Sequence, residues 1–217
     1  GIFLLEFADL ASIIKYKMFD TICHEHLEYY STEVIINLCK ENGLRVFDIK
    51  QNSINGASKQ YYICHNNSHY AEKKNIISKC LSNERKLKLS KVSTFRKFIK
   101  QINVSKNQLL KLLKNIKKRK KTIHCYGAST KGNVLLQYFK INNNMIKFAA
   151  ERNKSKYNLF TPGTRIKIVS EKISRSLSPD YFLVLPWHFK KEILSRENKI
   201  RKKGTKFIFP LPKLQII

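Results

Sequence analysis

The sequence is short of acidic residues, glycine, proline and long apolar runs. Only 15 aspartates and glutamates stand against 43 lysines and arginines, and 217 residues include 7 glycines and 5 prolines. No run approaches the ~18 apolar residues that a membrane span needs. The apolar start, residues 1–5, is followed by Glu6 and Asp9 and has no basic leader, so we expect a buried strand here rather than a secretory signal. The chain does not begin with methionine, and we expect residues to precede it.

Paired cysteines are also missing. The 5 cysteines are widely separated and form no Cys-x-x-Cys pair, which removes the usual pattern of a structural zinc site. Free thiols are the default in a reducing compartment, so the sequence predicts a cytoplasmic protein without a metal site. A hydrophobic content of 42%, with many aromatic residues, indicates a folded chain with a sizeable core, in one large domain or two small ones.

The net charge of +28 is compatible with nucleic-acid binding. The lysine excess accompanies many isoleucines and asparagines, as expected from an A/T-rich coding bias, and the dense basic run is KKRKK at 117–121. The sequence has no RNA-binding aromatic signature and no zinc finger. We therefore expect nonspecific, salt-sensitive binding to polyanions, and specific nucleic-acid binding remains an alternative.

Hydrophobic periodicity divides the chain into three regions. Residues 1–67 are predicted to form a strand, then helices that include 32–40, then strands at 44–50 and 59–64. Residues 68–121 lack glycine and proline and carry an apolar stripe at helical spacing, which predicts a long helix or a helix pair. Residues 122–217 alternate strands (122–126, 145–150, 181–185, 206–209) with helices (131–140, 188–196), which favours a parallel α/β sheet.

The segment FDTICHEHLEYYS at 19–31 concentrates groups that can transfer protons. Because histidine titrates near neutral pH, one imidazole of His24 or His26 can act as a general base while Glu25 orients its other nitrogen. The spacing is not the His-Glu-x-x-His of zinc proteases. A histidine pair at the surface or core edge, without a chemical role, is the alternative that the residue types leave open.

A second motif, YGASTKGN at 126–133, follows a predicted strand and opens a predicted helix. Backbone N–H groups and the helix dipole make such a turn an anion site, with Lys131 as the counter-charge. The motif is neither a Walker A sequence nor a full dinucleotide fingerprint. Glu151, 24 positions beyond Gly127, ends the next strand, where an acid could meet a ribose. A tight strand–helix turn without a ligand is the alternative.

A third segment, PDYFLVLPWHFK at 179–190, places Trp187 and His188 just past the end of a buried strand. That end is the ligand side of open α/β sheets. The alternative for Trp187 is an aromatic cap on the core.

Together these segments resemble a family of S-adenosylmethionine-dependent C-methyltransferases that act on nucleotide-linked deoxysugars. The family signature usually reads FDTIYHEHLSY(F/Y)S, and the family also has YGAxxKGN, TPGT, PDxxLxLxWNF and a closing GKFIxPxP. The resemblance runs from Gly1 to Ile217. It implies that His26 removes a proton from the carbon beside a ketone, that Glu25 supports it, and that His24 lies beside them.

The resemblance also implies a substrate site, in which Gly127, Ser129, Lys131 and Asn133 hold phosphate. The full set of implied substrate-binding residues is Tyr30, Ser58, Tyr126, Gly127, Ser129, Lys131, Asn133, Glu151, Arg152, Trp187 and His188. The chain departs from the family pattern at Cys23 (usually Tyr), Gln60 (Arg), Glu151 (Asp) and His188 (Asn). A cysteine does not have the reach of the phenol that it replaces, so we expect an effect on activity.

The implied fold is α/β. Residues 1–67 would finish a class I methyltransferase sheet, 68–121 would form a helical connector, and 122–217 a Rossmann-like parallel-sheet domain. S-adenosylmethionine is the implied cofactor, but the Gly-rich turn that holds it and the family's Cys-rich zinc module are absent from this sequence. We therefore expect the carboxyl-terminal half of such an enzyme, inactive alone.

The expected partners are a nucleotide-linked sugar and a separately encoded amino-terminal half, with no membrane. A non-catalytic nucleotide-sugar-binding module, a decayed remnant and a basic nucleic-acid binder are the alternatives.

Overall fold

The computed structural model describes all 217 residues except the side chain of Asn55. The chain divides into two compact units. Unit 1 comprises Gly1–Met18 and Glu25–Lys100, and unit 2 comprises Phe19–His24 and Gln101–Ile217. The boundaries predicted from the sequence, after residues 67 and 121, remain predictions beside this division.

Unit 1 contains a three-stranded antiparallel sheet. Its elements are β1 (Phe3–Ala8), α1 (Leu10–Tyr16), α2 (Thr32–Glu41), β2 (Leu44–Asn52), β3 (Ser58–His65), α3 (Lys74–Leu87) and the start of α4 (Val92–Lys118). The strand order is β1-β3-β2, so β3 is paired on both sides. Ile35, Cys39, Val46, Ile63 and Ile77 form the core against this sheet. Sequence periodicity had predicted each of these strands to within two residues.

A buried ion cluster lies inside unit 1. Lys59 Nζ is 2.9 Å from Asp9 Oδ1 and 2.9 Å from Glu84 Oε1, and it donates to Thr32 Oγ1 at 2.9 Å. The lysine side chain is 5% exposed. Burial alone would lower the pKa of Lys59, but Asp9 and then Glu84 outweigh it and the pKa is raised. The ammonium therefore stays charged. Its ion pairs connect β3 with Asp9, which lies between β1 and α1, and with Glu84 of α3.

The Lys-rich middle of the chain forms two helices, as predicted. Within α4, Phe98, Ile102, Leu109, Leu113 and Ile116 are buried at helical spacing. The described helices include none that is long and apolar enough to cross a membrane.

Unit 2 is built on a six-stranded sheet. After α4 come β4 (Ile123–Tyr126), α5 (Thr130–Phe139), β5 (Phe148–Glu151), β6 (Lys167–Ser170), α6 (Glu171–Ser176), β7 (Tyr181–Val184), α7 (Lys190–Arg196), α8 (Asn198–Lys202), β8 (Lys206–Phe209) and β9 (Gln215–Ile216). The order is β6-β5-β4-β7-β8-β9, with five parallel strands and an antiparallel β9.

This sheet confirms the predicted α/β class with a mixed, mostly parallel sheet. The strands are short apolar runs such as YFLV and KFIF, buried because helices cover both faces. The chain leaves β4 toward β5 and β6 and returns to β7 on the other side of β4. The strand order therefore reverses at β4, and the carboxyl ends of β4 and β7 lie at the position where open α/β sheets commonly bind ligands. The incomplete class I sheet predicted for unit 1 remains a prediction.

A remote segment completes unit 2. Phe19–Thr21 form a short 3-10 helix in which Phe19 and Asp20 are buried. The Phe19 ring stacks on Phe139 of α5 with centroids 5.0 Å apart. The first half of the histidine-containing signature thus packs within unit 2, although residues 25–100 of unit 1 separate it in sequence from the rest of that unit.

Candidate functional site at the carboxyl edge of the parallel sheet

The turn after β4 requires two glycines. Gly127 has φ +84, and a Cβ there would lie 2.9 Å from Pro186 Cδ. A Cβ on Gly132 would lie 2.8 Å from Leu185 Cβ. Ser129 caps α5 by accepting from Gly132 N at 3.1 Å. The glycines therefore let the turn and the first turn of α5 pack against the segment that follows β7.

Glu151 binds this turn from the end of β5. Its carboxylate accepts from Ala128 N at 2.8 Å, Arg152 N at 2.8 Å and Asn153 N at 3.0 Å. Burial opposes ionisation, but these amides outweigh it, and the pKa of Glu151 lies below its usual range. The Gly127 amide donates to Ala150 O at 2.7 Å. Two amides of the predicted phosphate cradle are thus occupied by the chain itself, one of them by a carboxylate.

A group of polar side chains surrounds Trp187. The indole Nε1 donates to Asp20 Oδ2 at 2.8 Å, and both side chains are buried, with Asp20 only 1% exposed. Burial raises the pKa of Asp20, and the charge of Lys131 partly offsets this rise. Burial lowers the pKa of Lys131, with Asp20 and then Cys23 opposing. These reciprocal effects place a carboxylate, an ammonium and a thiol in one electrostatic group.

His188 joins the same group. Burial, reinforced by the positive charge of Lys131, lowers the pKa of His188 to about 4. The ring is therefore neutral at pH 7. Its Nδ1 and Asp20 Oδ1 are buried and have no hydrogen-bond partner among the described residues; Asn133 Oδ1, on α5, is in the same condition.

The histidine cluster itself forms an exposed turn. His24, Glu25 and His26 are all exposed, and residues 23–25 lie in a bend and turn rather than in a helix or strand. The His26 ring lies 6.4 Å from the Tyr29 ring, edge to face. His24 belongs to unit 2, whereas Glu25 and His26 belong to unit 1. Their roles as base and supporting groups stay predictions.

Several predicted substrate-binding residues make internal contacts. Tyr30 packs edge-on against Phe7 at 5.7 Å, and the buried Ser58 donates to Ile54 O at 3.1 Å. The Tyr126 hydroxyl donates to Glu197 at 2.7 Å, and Arg196 donates to the Tyr126 oxygen. Arg152 is exposed beside Glu151. The NGASKQ stretch at 55–60 includes Asn55, whose side chain lies outside the described part of the chain.

Sequence reasoning missed Asp20. It lies next to Phe19 in the signature, but its position among Trp187, Lys131 and His188 depends on a contact between residues 167 positions apart. The local signal in the sequence is an aspartate between Phe19 and Thr21, close to the histidines of the same motif.

The fold and this edge define an α/β domain with a mixed, mostly parallel sheet and a group of polar side chains at its carboxyl edge. The chain belongs to the C-methyltransferase C-terminal domain family, whose model matches residues 53–212. It is similar to C-methyltransferase NovU of Streptomyces niveus, with 30% identity over 217 residues, which is all of this chain and 51% of that protein. The chain thus spans about half the length of this relative, its carboxyl-terminal half.

The family implies the use of S-adenosylmethionine. Two strand–helix turns carry the kind of acid with which α/β folds bind a ribose. In unit 1 the acid that follows β1, Asp9, caps α1 through Ser12 N at 2.9 Å and pairs with Lys59. In unit 2 Glu151 accepts from Ala128 N of the glycine turn at 2.8 Å. The acid of each turn is thus bonded within the chain itself.

Proposed function

We propose that the chain is the carboxyl-terminal portion of an S-adenosylmethionine-dependent C-methyltransferase that methylates the carbon beside the ketone of a nucleotide-linked sugar. The family match and the signature at 19–31 support the reaction class. The observation that carries the proposal is the Asp20–Trp187 hydrogen bond. It joins the start of the base-bearing signature to the edge of the sheet where ligands bind in such folds.

In this proposal His26 takes a proton from the carbon next to the ketone. The electron pair left on carbon delocalises onto the ketone oxygen, and the resulting enolate is the nucleophile that C-methylation needs. Glu25 orients the imidazole and stabilises its protonated form, and His24 lies beside them. A general base of this kind contributes roughly 10²–10⁴-fold. No step of this chain is assigned to the methyl donor.

The remaining roles are also part of the proposal. The nucleotide-linked sugar binds at the edge formed by the turn at 126–133, Glu151 and Trp187–His188. The methyl donor is held by residues outside this chain, so the chain alone does not transfer methyl groups, and a separately encoded amino-terminal half in the cytoplasm is the proposed partner.

Proton exchange tests the base without the methyl donor. The purified chain is incubated in D₂O with a nucleotide-linked keto-deoxysugar, and deuterium at the carbon beside the ketone is followed by NMR. We expect exchange above the uncatalysed rate, and a loss of at least ~10²-fold in His26→Ala. His65→Ala, which removes an exposed imidazole at the end of β3 that has no proposed role, is the matched control and retains most of the rate.

A binding module without catalysis is the second candidate. One observation favours it: Cys23 stands where the family has tyrosine, which affects catalysis. Gln60, where the family has arginine, donates to Glu6 at 2.7 Å; the loss of a cation that could meet an anion favours a decayed remnant instead. Calorimetry that shows binding of the nucleotide-linked sugar, together with an absence of exchange, supports this module. A steep salt dependence with preference for one RNA or DNA sequence would instead favour the nucleic-acid binder.

A further inference from the structure

Asp20 is an anomaly that the predicted phosphate site does not explain. Residue Asp20 is 1% exposed; its Oδ2 accepts from the Trp187 indole at 2.8 Å, and the backbone amides of Asp20 and Thr21 also favour the charged form of the carboxylate. The other oxygen, Oδ1, has no hydrogen-bond partner in the described part of the chain. Leaving a buried acceptor unpaired costs free energy. Such an acceptor therefore needs an explanation, and binding of a ligand, an ion or a water molecule is one.

The carboxylate is held rather than free to turn away. Phe19, its neighbour, stacks on Phe139 at 5.0 Å and tilts against Tyr138 at 5.4 Å. The indole fixes Oδ2. Oδ1 is thus presented in one orientation, as a preorganised acceptor.

The charges around Asp20 select the ligand group. Burial raises the pKa of Asp20 and lowers that of Lys131, and the opposite charge of each group partly offsets the shift of the other. A phosphate placed here would meet the carboxylate of Asp20 as well as the ammonium, whereas a hydroxyl can donate to Oδ1 without bringing a charge. His188 Nδ1, also buried and unpartnered in the described residues, belongs to the residue after Trp187. A hydroxyl donates or accepts, so it suits either tautomer of the neutral ring.

We infer that Asp20 Oδ1 and His188 Nδ1 bind hydroxyl groups of the carbohydrate portion of the ligand, and that the phosphates bind elsewhere. This inference rests on the proposed function, since it assigns the sugar part of the same ligand. It makes Asp20 a determinant of sugar recognition that the sequence motifs did not indicate.

The single tryptophan supplies a direct readout. Its indole N–H donates to Asp20, so one ¹H–¹⁵N resonance reports on that carboxylate. The intact chain is titrated with thymidine, uridine and guanosine diphosphates, each free and linked to glucose, and with glucose alone. We expect a sugar-linked nucleotide to move the indole resonance, and the matching free diphosphate to bind without moving it.

Calorimetry of variants measures the contribution of Asp20 to the affinity for the sugar-linked nucleotide. Asp20→Asn is expected to remove most of the affinity difference between the sugar-linked and the free nucleotide, roughly 10-fold or more, while the affinity of the free diphosphate changes little. Asp180→Asn, an aspartate that precedes β7 at the opposite end of the strand, is the matched control.

The outcomes separate the two claims. If a nucleotide-linked sugar binds and the indole resonance stays in place, the inference is wrong and the proposed function stands. If glucose alone moves the resonance and no nucleotide binds, the inference stands and the proposed function fails. If no nucleotide-linked sugar binds and glucose does not move the resonance, the inference and the proposed function both fail.

Discussion

Trp187 Nε1 lies 2.8 Å from Asp20 Oδ2, which joins residues 167 positions apart. The bond connects the start of the histidine signature to the segment that follows β7, and both belong to unit 2. It places a buried carboxylate where the parallel strands end. The local structure of unit 2 around its ligand edge therefore depends on a segment from a distant part of the chain.

Removing the indole donor should destabilise unit 2. In Trp187→Phe, Asp20 keeps its burial but its Oδ2 loses the indole hydrogen bond, and leaving a buried acceptor unsatisfied costs about 1–3 kcal/mol. Asp20→Asn should cost less, because the amide oxygen still accepts from the indole. Urea denaturation measures both. A Trp187→Phe protein within about 0.5 kcal/mol of wild type would contradict the assigned bond.

The lysine of the buried ion cluster should matter far more than a surface lysine. Lys59→Met leaves Asp9 and Glu84 buried without their cation, and breaking a buried pair in this way costs roughly 3–5 kcal/mol. Lys121→Met is the control, because its pair with Asp180 is largely exposed and exposed pairs contribute little to stability. The measurement is the free energy of unfolding of the two variants relative to wild type. An equal decrease in both variants would contradict the assigned ion cluster.

The protein should lose stability in mild acid through His124. The ring is 5% exposed, bonded to Ser174 at 2.8 Å, and burial lowers its pKa to about 4. The unfolded chain takes up a proton near pH 6.5 and the folded chain does not, so stability is full above about pH 6.5 and declines as the pH falls toward 4.

His124→Gln keeps a polar partner for Ser174 but does not titrate. Between pH 6.5 and 4.5 its free energy of unfolding should fall less steeply than that of wild type, by up to about 1.4 kcal/mol per pH unit. Parallel curves for the two proteins would show that His124 titrates alike in both states.

Two glycines with positive φ, Gly43 in unit 1 and Gly127 in unit 2, should differ in their tolerance of alanine. Gly43→Ala meets no atom within 4 Å but has φ +70, so it shows the backbone cost alone, about 1 kcal/mol. Gly127→Ala adds an overlap with Pro186, and we expect roughly 1–3 kcal/mol more. Thermal denaturation of the two variants should therefore show the larger shift for Gly127→Ala; the reverse order would contradict the packing of this turn.

Local patterns predicted much of the fold. Apolar runs of four or five residues, such as the one at 181–185, became buried parallel strands, and the stripe in α4 became a buried helix face. The strand–turn–helix motif at 126–133 formed as expected, because glycine tolerates φ +84 and Ser129 caps the following helix. The strand β6 and helix α6 were missed, since four and six residues carry too little periodicity to detect.

By itself, the sequence determined the family, the α/β class and the positions of the motifs, since these depend on residues that are neighbours along the chain. Only the tertiary structure decided that Asp20 meets Trp187, that Glu151 takes the amide of Ala128, and that Lys59 is buried between two acids. Each of these contacts joins residues that are distant along the chain and is stabilised by burial and by the pairing of polar groups. None of the three contacts produces a periodic pattern in the sequence.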